Sequence, residues 1–209
     1  MPTVSDVNTL REAVKERLGE WRFCHTLGVE KEIVRLGKHY LPQDILRLQI
    51  AALLHDITKE LSTEEHIALC ARHGITLTDT ELASPKTLHA KTGAIVAAEE
   101  FAAFVDAEII DAIAKHTTGA REMSLFAKLL YLADYIEETR TFPDCIRLRE
   151  MFWGGFDDLP QNKYQERIDR VLLASFEMTI EALLSEGVAI APETLEAKEA
   201  LLADINRYS

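Results

Sequence analysis

Apolar residues return every three to four positions through most of this chain, the period of helices with one buried face. Residues 8–19 carry a short amphipathic pattern. RFCHTLGVEKEIVRLGKHY, 22–40, places Phe23, Leu27, Val29, Ile33, Val34 and Leu36 on one side, and Pro42 follows its end. Residues 44–57 read as an apolar helix, with Ile45, Leu48, Ala52 and His55 at helical spacing. STEEHIALCARHG opens on a capping box, Ser62 to Glu65, and closes at Gly74. Further helices are predicted over 88–101, 106–119 and 123–140, the second acidic in its first turn and ended by Gly119, the third capped by Ser124. After Pro143 the pattern loosens, and MFWGGFDDLPQN (151–162) reads as a loop or insertion. Helices return over 164–187 and 193–207. No strand-type alternation, repeat or linker interrupts them. The expectation is an all-α chain, one helical-bundle domain over 1–209, with a core at about 20–143 and C-terminal helices at 164–207 packed on it.

The 209 residues suit one ordinary domain, and 47% apolar residues suffice for a sizeable core. No apolar run approaches the ~18–20 residues of a membrane span. MPTVSDVNTLREAV lacks a signal peptide's apolar stretch, so a cytoplasmic protein without a membrane partner is expected. A net charge of −12 and the lack of a Lys/Arg cluster argue against a nucleic-acid partner. An anionic ligand would need local cations here, and a bound metal would supply charge most directly. Cys24, Cys70 and Cys145 show no CxxC spacing, which argues against thiolate zinc and a disulfide framework. Cys24 neighbours His25, but adjacent helical positions point about 100° apart, so a Cys–His nucleophile is a weak idea.

The seven histidines divide into two groups. His39, His66 and His73 stand among charged residues or at helix ends and are expected on the surface. His25, His55, His89 and His116 each border an apolar helix. Singly, each is an ordinary boundary histidine; together, from four helices, they can converge inside a bundle. Asp56 follows His55 at the end of an apolar run, and Asp134 sits within LLYLADYI. A buried carboxylate needs a cation or a raised pKa. No Lys or Arg lies one turn before Asp134, and Glu137 and Glu138 follow it. Capping of a neighbouring helix is one solution; a divalent metal serving Asp56 and Asp134 together is the better one. Imidazole and carboxylate donors suit iron, manganese, zinc or magnesium-like ions, and open positions on such a site can activate water.

The order His25, His55–Asp56, Asp134, with His89 and His116 between, resembles the HD-domain metal-dependent phosphohydrolases. HTLGV (25–29), ALLHDITK (52–59), LHAKTGA (88–94), KHTTG (115–119), MSLFAKLLYLADYIEETRTFP (123–143) and EGVAIAPETLEA (186–197) are similar to the YqeK family of symmetrical bis(5′-nucleosyl)-tetraphosphatases. The resemblance covers roughly residues 20 to 198. It implies hydrolysis of diadenosine tetraphosphate (Ap4A) to two ADP, and a centre of one or two divalent ions, iron first, manganese or another transition metal otherwise. It implies His25, His55, Asp56 and Asp134 as metal ligands, with His89 and His116 at a second metal or beside phosphate. Asp56, Lys59, His89 and His116 form the expected catalytic set. The same four with Thr117, Asp134 and Arg140 are expected to meet the substrate, Arg121 being a weaker phosphate candidate and Thr118 a neighbour at the same helix end. Departures are the long link at MFWGGFDDLPQNKYQER, Lys91 where relatives often carry Pro, and SFEMTIEALL without an Asn before its Thr. The competing expectations are an HD hydrolase of another nucleotide (a dNTP, a nucleoside monophosphate or a guanosine alarmone) and a non-catalytic, metal-stabilised regulatory protein. A homodimer is left open.

Overall fold

Local signals set the helix ends. In the computed structural model, which describes residues 2–208, Thr3 and Asp6 form a reciprocal capping box. The first helix, α1, therefore runs Val4–Lys15, about four residues ahead of the 8–19 expected from periodicity. Positions 1 and 209, the ends of the expected unit, lie outside the described residues. Gly19 starts α2, Glu20–Tyr40, and a 3-10 turn at Pro42–Asp44 leads into α3, Ile45–Leu54. Ser62 and Glu65 cap α4, Thr63–Arg72, as expected, and the chain leaves it through Gly74 at φ +67°, a conformation glycine adopts without strain. Thr78 and Glu81 repeat the box at α5, Asp79–Ala83, too short for a hydrophobic period to reveal. Then come α6 (Leu88–Glu100), α7 (Ala107–Lys115, capped by Asp106) and α8 (Leu125–Ile136, capped by Ser124). The last three are α9 (Pro143–Trp153), α10 (Tyr164–Ser185) and α11 (Pro192–Ile205). Among the described residues there is no strand, and the all-α expectation holds.

One region differs from the sequence reading. The stretch after Pro143 is helical: Pro143 occupies the first turn of α9, where a missing N–H breaks no helix bond. Nor is 151–162 a free insertion. Phe152 and Phe156 are buried and stack 5.4 Å apart, with Tyr40 and Tyr164 against Phe156 at 6.3 and 4.8 Å. An aromatic cluster thus ties the link to the end of α2.

The core forms around α3. Leu48 and every residue from Ile50 to Leu54 are fully buried, so the second half of this helix is apolar on all sides and must be surrounded. α1, α2, α7 and α8 pack around it. α10 lies on α8, α9 and α11, and its Phe176 sits 4.8 Å from Tyr131 of α8. Gly119, at φ +68°, lets the turn between α7 and α8 pass over Phe176; a Cβ there would meet the ring at 2.5 Å. This packing brings the end of α3, the start of α6, the end of α7, the first two turns of α2 and the last turn of α8 to one place.

Candidate metal centre

Three histidines terminate helical turns with one ring nitrogen and face inward with the other. His55 follows the last residue of α3, and its Nδ1 donates to the Ala52 carbonyl at 2.6 Å. His116 stands at the same place after α7, donating to Ile113 O at 2.7 Å. His89, in the first turn of α6, donates to Lys86 O at 2.7 Å. Helix ends leave carbonyls unsatisfied, and these rings satisfy one each. A carbonyl only accepts, so each Nδ1 carries the hydrogen and each Nε2 presents a lone pair. His25, in α2, makes the fourth such arrangement, its Nδ1 3.1 Å from Glu137 Oε1. A carboxylate behind an inward-facing imidazole is the usual orienting partner of a metal-ligating histidine.

The four Nε2 atoms and two carboxylates form two foci that share Asp56. On one side, Asp56 Oδ2 is 3.7 Å from His25 Nε2 and 3.6 Å from His55 Nε2. Asp134 Oδ1 adds to this focus at 2.9 Å from His25 Nε2 and 3.8 Å from His55 Nε2. On the other side, Asp56 Oδ1 is 3.2 Å from His89 Nε2 and 3.7 Å from His116 Nε2, which are themselves 3.1 Å apart. His25, His55 and Asp134, and likewise His55, Asp56 and His116, each offer ligand atoms within 4.8 Å of one another. His25 Nε2 and His55 Nε2 are buried without an aligned hydrogen-bond partner; even the 2.9 Å approach to Asp134 lacks hydrogen-bond geometry. Acceptors crowded this closely repel unless a cation lies among them. The donor set therefore fits a divalent ion.

The electrostatics have the same sense. Burial disfavours charge on His25, but the adjacent Asp134 and Glu137 carboxylates outweigh it and raise its pKa to about 9. That ring holds a proton unless another cation replaces it. Burial drives His55 down to about 4 and His89 well below the usual range, which keeps both as lone-pair donors. Asp56 and Asp134 are buried yet held well below ordinary carboxylate values, Asp56 by the surrounding histidines and Lys59, Asp134 by Arg140. Lys59 is lowered by burial. Its Nζ is 3.0 Å from His89 Nε2 and 3.9 Å from Asp56 Oδ1. Thr117 Oγ1 is 3.1 Å from His89 Nε2.

The residues that build these foci lie in a stretch of chain with a known counterpart: residues 22–139, more than half the chain, match the HD domain family. The protein belongs to the HD-domain family. Over 92% of this chain it is 32% identical to the symmetrical bis(5′-nucleosyl)-tetraphosphatase of Halalkalibacterium halodurans, 95% of which is covered. The enzyme of the same name from Bacillus subtilis is 31% identical over 87% of this chain and 89% of its own length. Among solved structures, a Clostridium acetobutylicum protein described as a predicted HD superfamily hydrolase involved in NAD metabolism superposes with a TM-score of 0.82. It is 32% identical and covers 94% of this chain and 97% of its own. The resemblance to the YqeK family seen in the sequence thus extends over nearly the whole HD-domain chain.

The structure brings His25, His55, Asp56, Lys59, His89, His116, Thr117, Asp134 and Arg140 of this HD centre together. Arg121 is elsewhere, exposed and 3.9 Å from Glu196 and Glu199. Cys24 is exposed while His25 is buried, so they form no nucleophilic pair. His66 corrects a surface expectation: it is buried, and its Nδ1 meets Thr92 Oγ1 at 2.8 Å in a network reaching Thr58 and the His89 carbonyl. Asp134 and Asp56 also have cationic partners that the sequence reading lacked. Arg140 Nη2 donates to Asp134 Oδ1 at 2.5 Å, and Arg22 Nη1 to Asp56 Oδ2 at 2.6 Å. Glu137, taken in the sequence as surplus negative charge, is fully buried behind His25 and accepts from Thr139 N and Oγ1 at 2.6 Å each.

Glu137 fits because position 28 has no side chain. A Cβ on Gly28 would collide with Glu137 Oε2 and Cδ. Gly28→Ala is expected to displace that carboxylate, release His25 and weaken metal binding by about 10–100-fold, the usual cost of losing an orienting partner. Metal retained after graded chelator dialysis measures this; retention equal to wild type would show that Glu137 does not orient His25.

Proposed function

We propose that this protein hydrolyses Ap4A to two ADP, with a divalent metal held by His25, His55, Asp56 and Asp134. The observation that carries this reading is the two-sided placement of Asp56, which joins a carboxylate–imidazole focus to a second focus beside Lys59 and Thr117. His89 and His116 hold a second ion or a phosphate there. Iron is the ion we assign first, with manganese or another transition metal as the alternative for this nitrogen–oxygen donor set. When bound, such an ion makes water nucleophilic near neutral pH and draws charge from a phosphoryl oxygen.

The chain's own residues do the rest. Even cleavage requires attack on a middle phosphorus: a new P–O bond forms from water, the bridging P–O bond to the other half breaks, and ADP leaves. Asp56 aligns the two foci and accepts hydrogen bonds from the attacking side. Lys59, kept inside by burial, and Arg140 neutralise phosphate oxygens, the arginine with a planar donor fork. Arg22 joins them; its Nε and that of Arg140 are buried without partners and stand ready for an anion. These cations offset the carboxylates of Asp56, Asp134 and Glu137 in an otherwise acidic protein. Thr117 donates to the same region from the end of α7.

The test is product analysis. Protein purified without oxygen and assayed for metal is incubated with Ap4A, and the nucleotides are separated. ADP as the sole product is expected. AMP with ATP would place the cut at an outer phosphoanhydride bridge, and no turnover of Ap4A beside turnover of a dNTP or a nucleoside monophosphate would replace the substrate.

A further inference from the structure

Of the two tryptophans, five tyrosines and eight phenylalanines in the chain, only Trp21 and Phe142 are exposed, at 70% and 62%. Scattered exposed aromatics need no explanation, but these two are not scattered. Both border one cavity of about 340 Å³, at the lower end of the ~300–1,000 Å³ usual for small-molecule sites. His25, Arg22, Arg140 and Lys59 line the same cavity, so it opens from the metal centre. Its two sides are built alike. At the start of α2, Trp21 precedes Arg22, whose inner end reaches Asp56. In the link from α8 to α9, Phe142 stands two residues after Arg140, whose inner end reaches Asp134. Each side offers a cation toward the centre and an aromatic ring at the rim. The Arg22 guanidinium carbon lies 4.7 Å from the Trp21 ring centroid, so cation and ring are held as a unit.

We infer that Trp21 and Phe142 form a nucleobase subsite, holding one base of a dinucleoside polyphosphate by stacking while Arg22, Arg140 and Lys59 hold its phosphates. The inference rests on the nucleotide-hydrolase reading above and adds the residues that bind the outer end of the substrate. An aromatic face gives a base a sequence-tolerant platform, because every base has a π-face. Among the other polar side chains of the lining, Glu137 is engaged by His25 and Thr139, while Thr141 is exposed at the rim. Affinity for the base then comes mainly from ring area.

Kinetics on the metal-loaded protein test this. Trp21→Ala and Phe142→Ala should each raise KM for Ap4A, and the inhibition constant of ADP, by about tenfold. Pyrophosphate, which has no base, should inhibit both variants as it inhibits wild type, within twofold. Trp21→Phe keeps a ring and should restore KM to within threefold. Trp21 emission should be quenched by ADP, with the quench lost in Trp21→Phe although binding persists. KM and ADP inhibition unchanged in both alanine variants would overturn the subsite. So would a parallel weakening of pyrophosphate, which would mean that Trp21 only steadies Arg22. If wild type does not cleave Ap4A, the hydrolase reading fails on its own; the ADP quench then decides the subsite, present supporting it and absent overturning it.

Discussion

Asp56→Asn is expected to lower kcat for Ap4A at least about a thousandfold while the protein stays folded. The substitution keeps the shape of the side chain but removes its symmetry. Both oxygens of Asp56 now face acceptors: Oδ2 toward His25 and His55, Oδ1 toward His89 and His116. An asparagine must turn its NH2 to one side. There a donor replaces an acceptor, and that focus loses a negative ligand whichever way the amide points. Arg22, 2.6 Å from Oδ2, also loses its counter-charge. Metal activation of water is worth several kcal/mol, and about 4 kcal/mol is a thousandfold in rate. Metal content per chain, melting temperature and kcat should be measured on the same preparation. Activity within tenfold of wild type at full metal content would remove Asp56 from its central role.

The sequence made the candidate ligand residues legible and left their supports hidden, for a physical reason. A histidine at the edge of an apolar run, or an aspartate inside one, violates the burial pattern around it; His55, Asp56 and Asp134 stood out that way. Arg22, Glu137 and His66 violate nothing, since charged neighbours in sequence suggest a solvated face. Their burial comes from contacts across the fold: Arg22 to Asp56, Glu137 to His25, and His66 to Thr92 on α6. The phrase EETR after Asp134 shows the limit well. Read along the chain it adds negative charge, yet folding turns Glu137 behind His25 and Arg140 back onto Asp134. Helix ends followed the same division. The capping box at Ser62 was visible because it precedes a clear apolar period, whereas the same box at Thr78 starts a helix with too few apolar residues to show one. After Pro143, where the hydrophobic pattern loosens, the chain is helical all the same: Pro143 opens α9, because the first turn needs no N–H from it.

Asp169→Ala is expected to be among the most destabilising single changes outside the site, by about 3–5 kcal/mol, the usual cost of leaving one half of a buried ion pair. Asp169, on α10, is fully buried. Lys128 of α8 reaches its Oδ1 at 2.7 Å, Tyr208 Oη donates to Oδ2 at 2.6 Å, and Gln165 Nε2 lies 3.1 Å from both oxygens. This carboxylate thus fastens the C-terminal end of the chain and α10 to the helix that carries Asp134. Removing it strands an ammonium whose side chain is only 12% exposed. For a chain of this length each kcal/mol moves the melting temperature by roughly 2–4 °C, so a fall of about 6–20 °C is expected. Replacing both partners by apolar groups, Asp169→Leu with Lys128→Met, should recover most of that fall, since no unpaired charge remains. A single variant that melts within 2 °C of wild type would show that the pair is no brace. Because the polar contacts of Lys128 and Asp169 include no residue of the two foci, kcat per folded molecule well below the transition should follow wild type in the double variant. A parallel loss of kcat would instead show that the brace sets the position of Asp134, and that the C-terminal helices belong to the catalytic architecture rather than only to its stability.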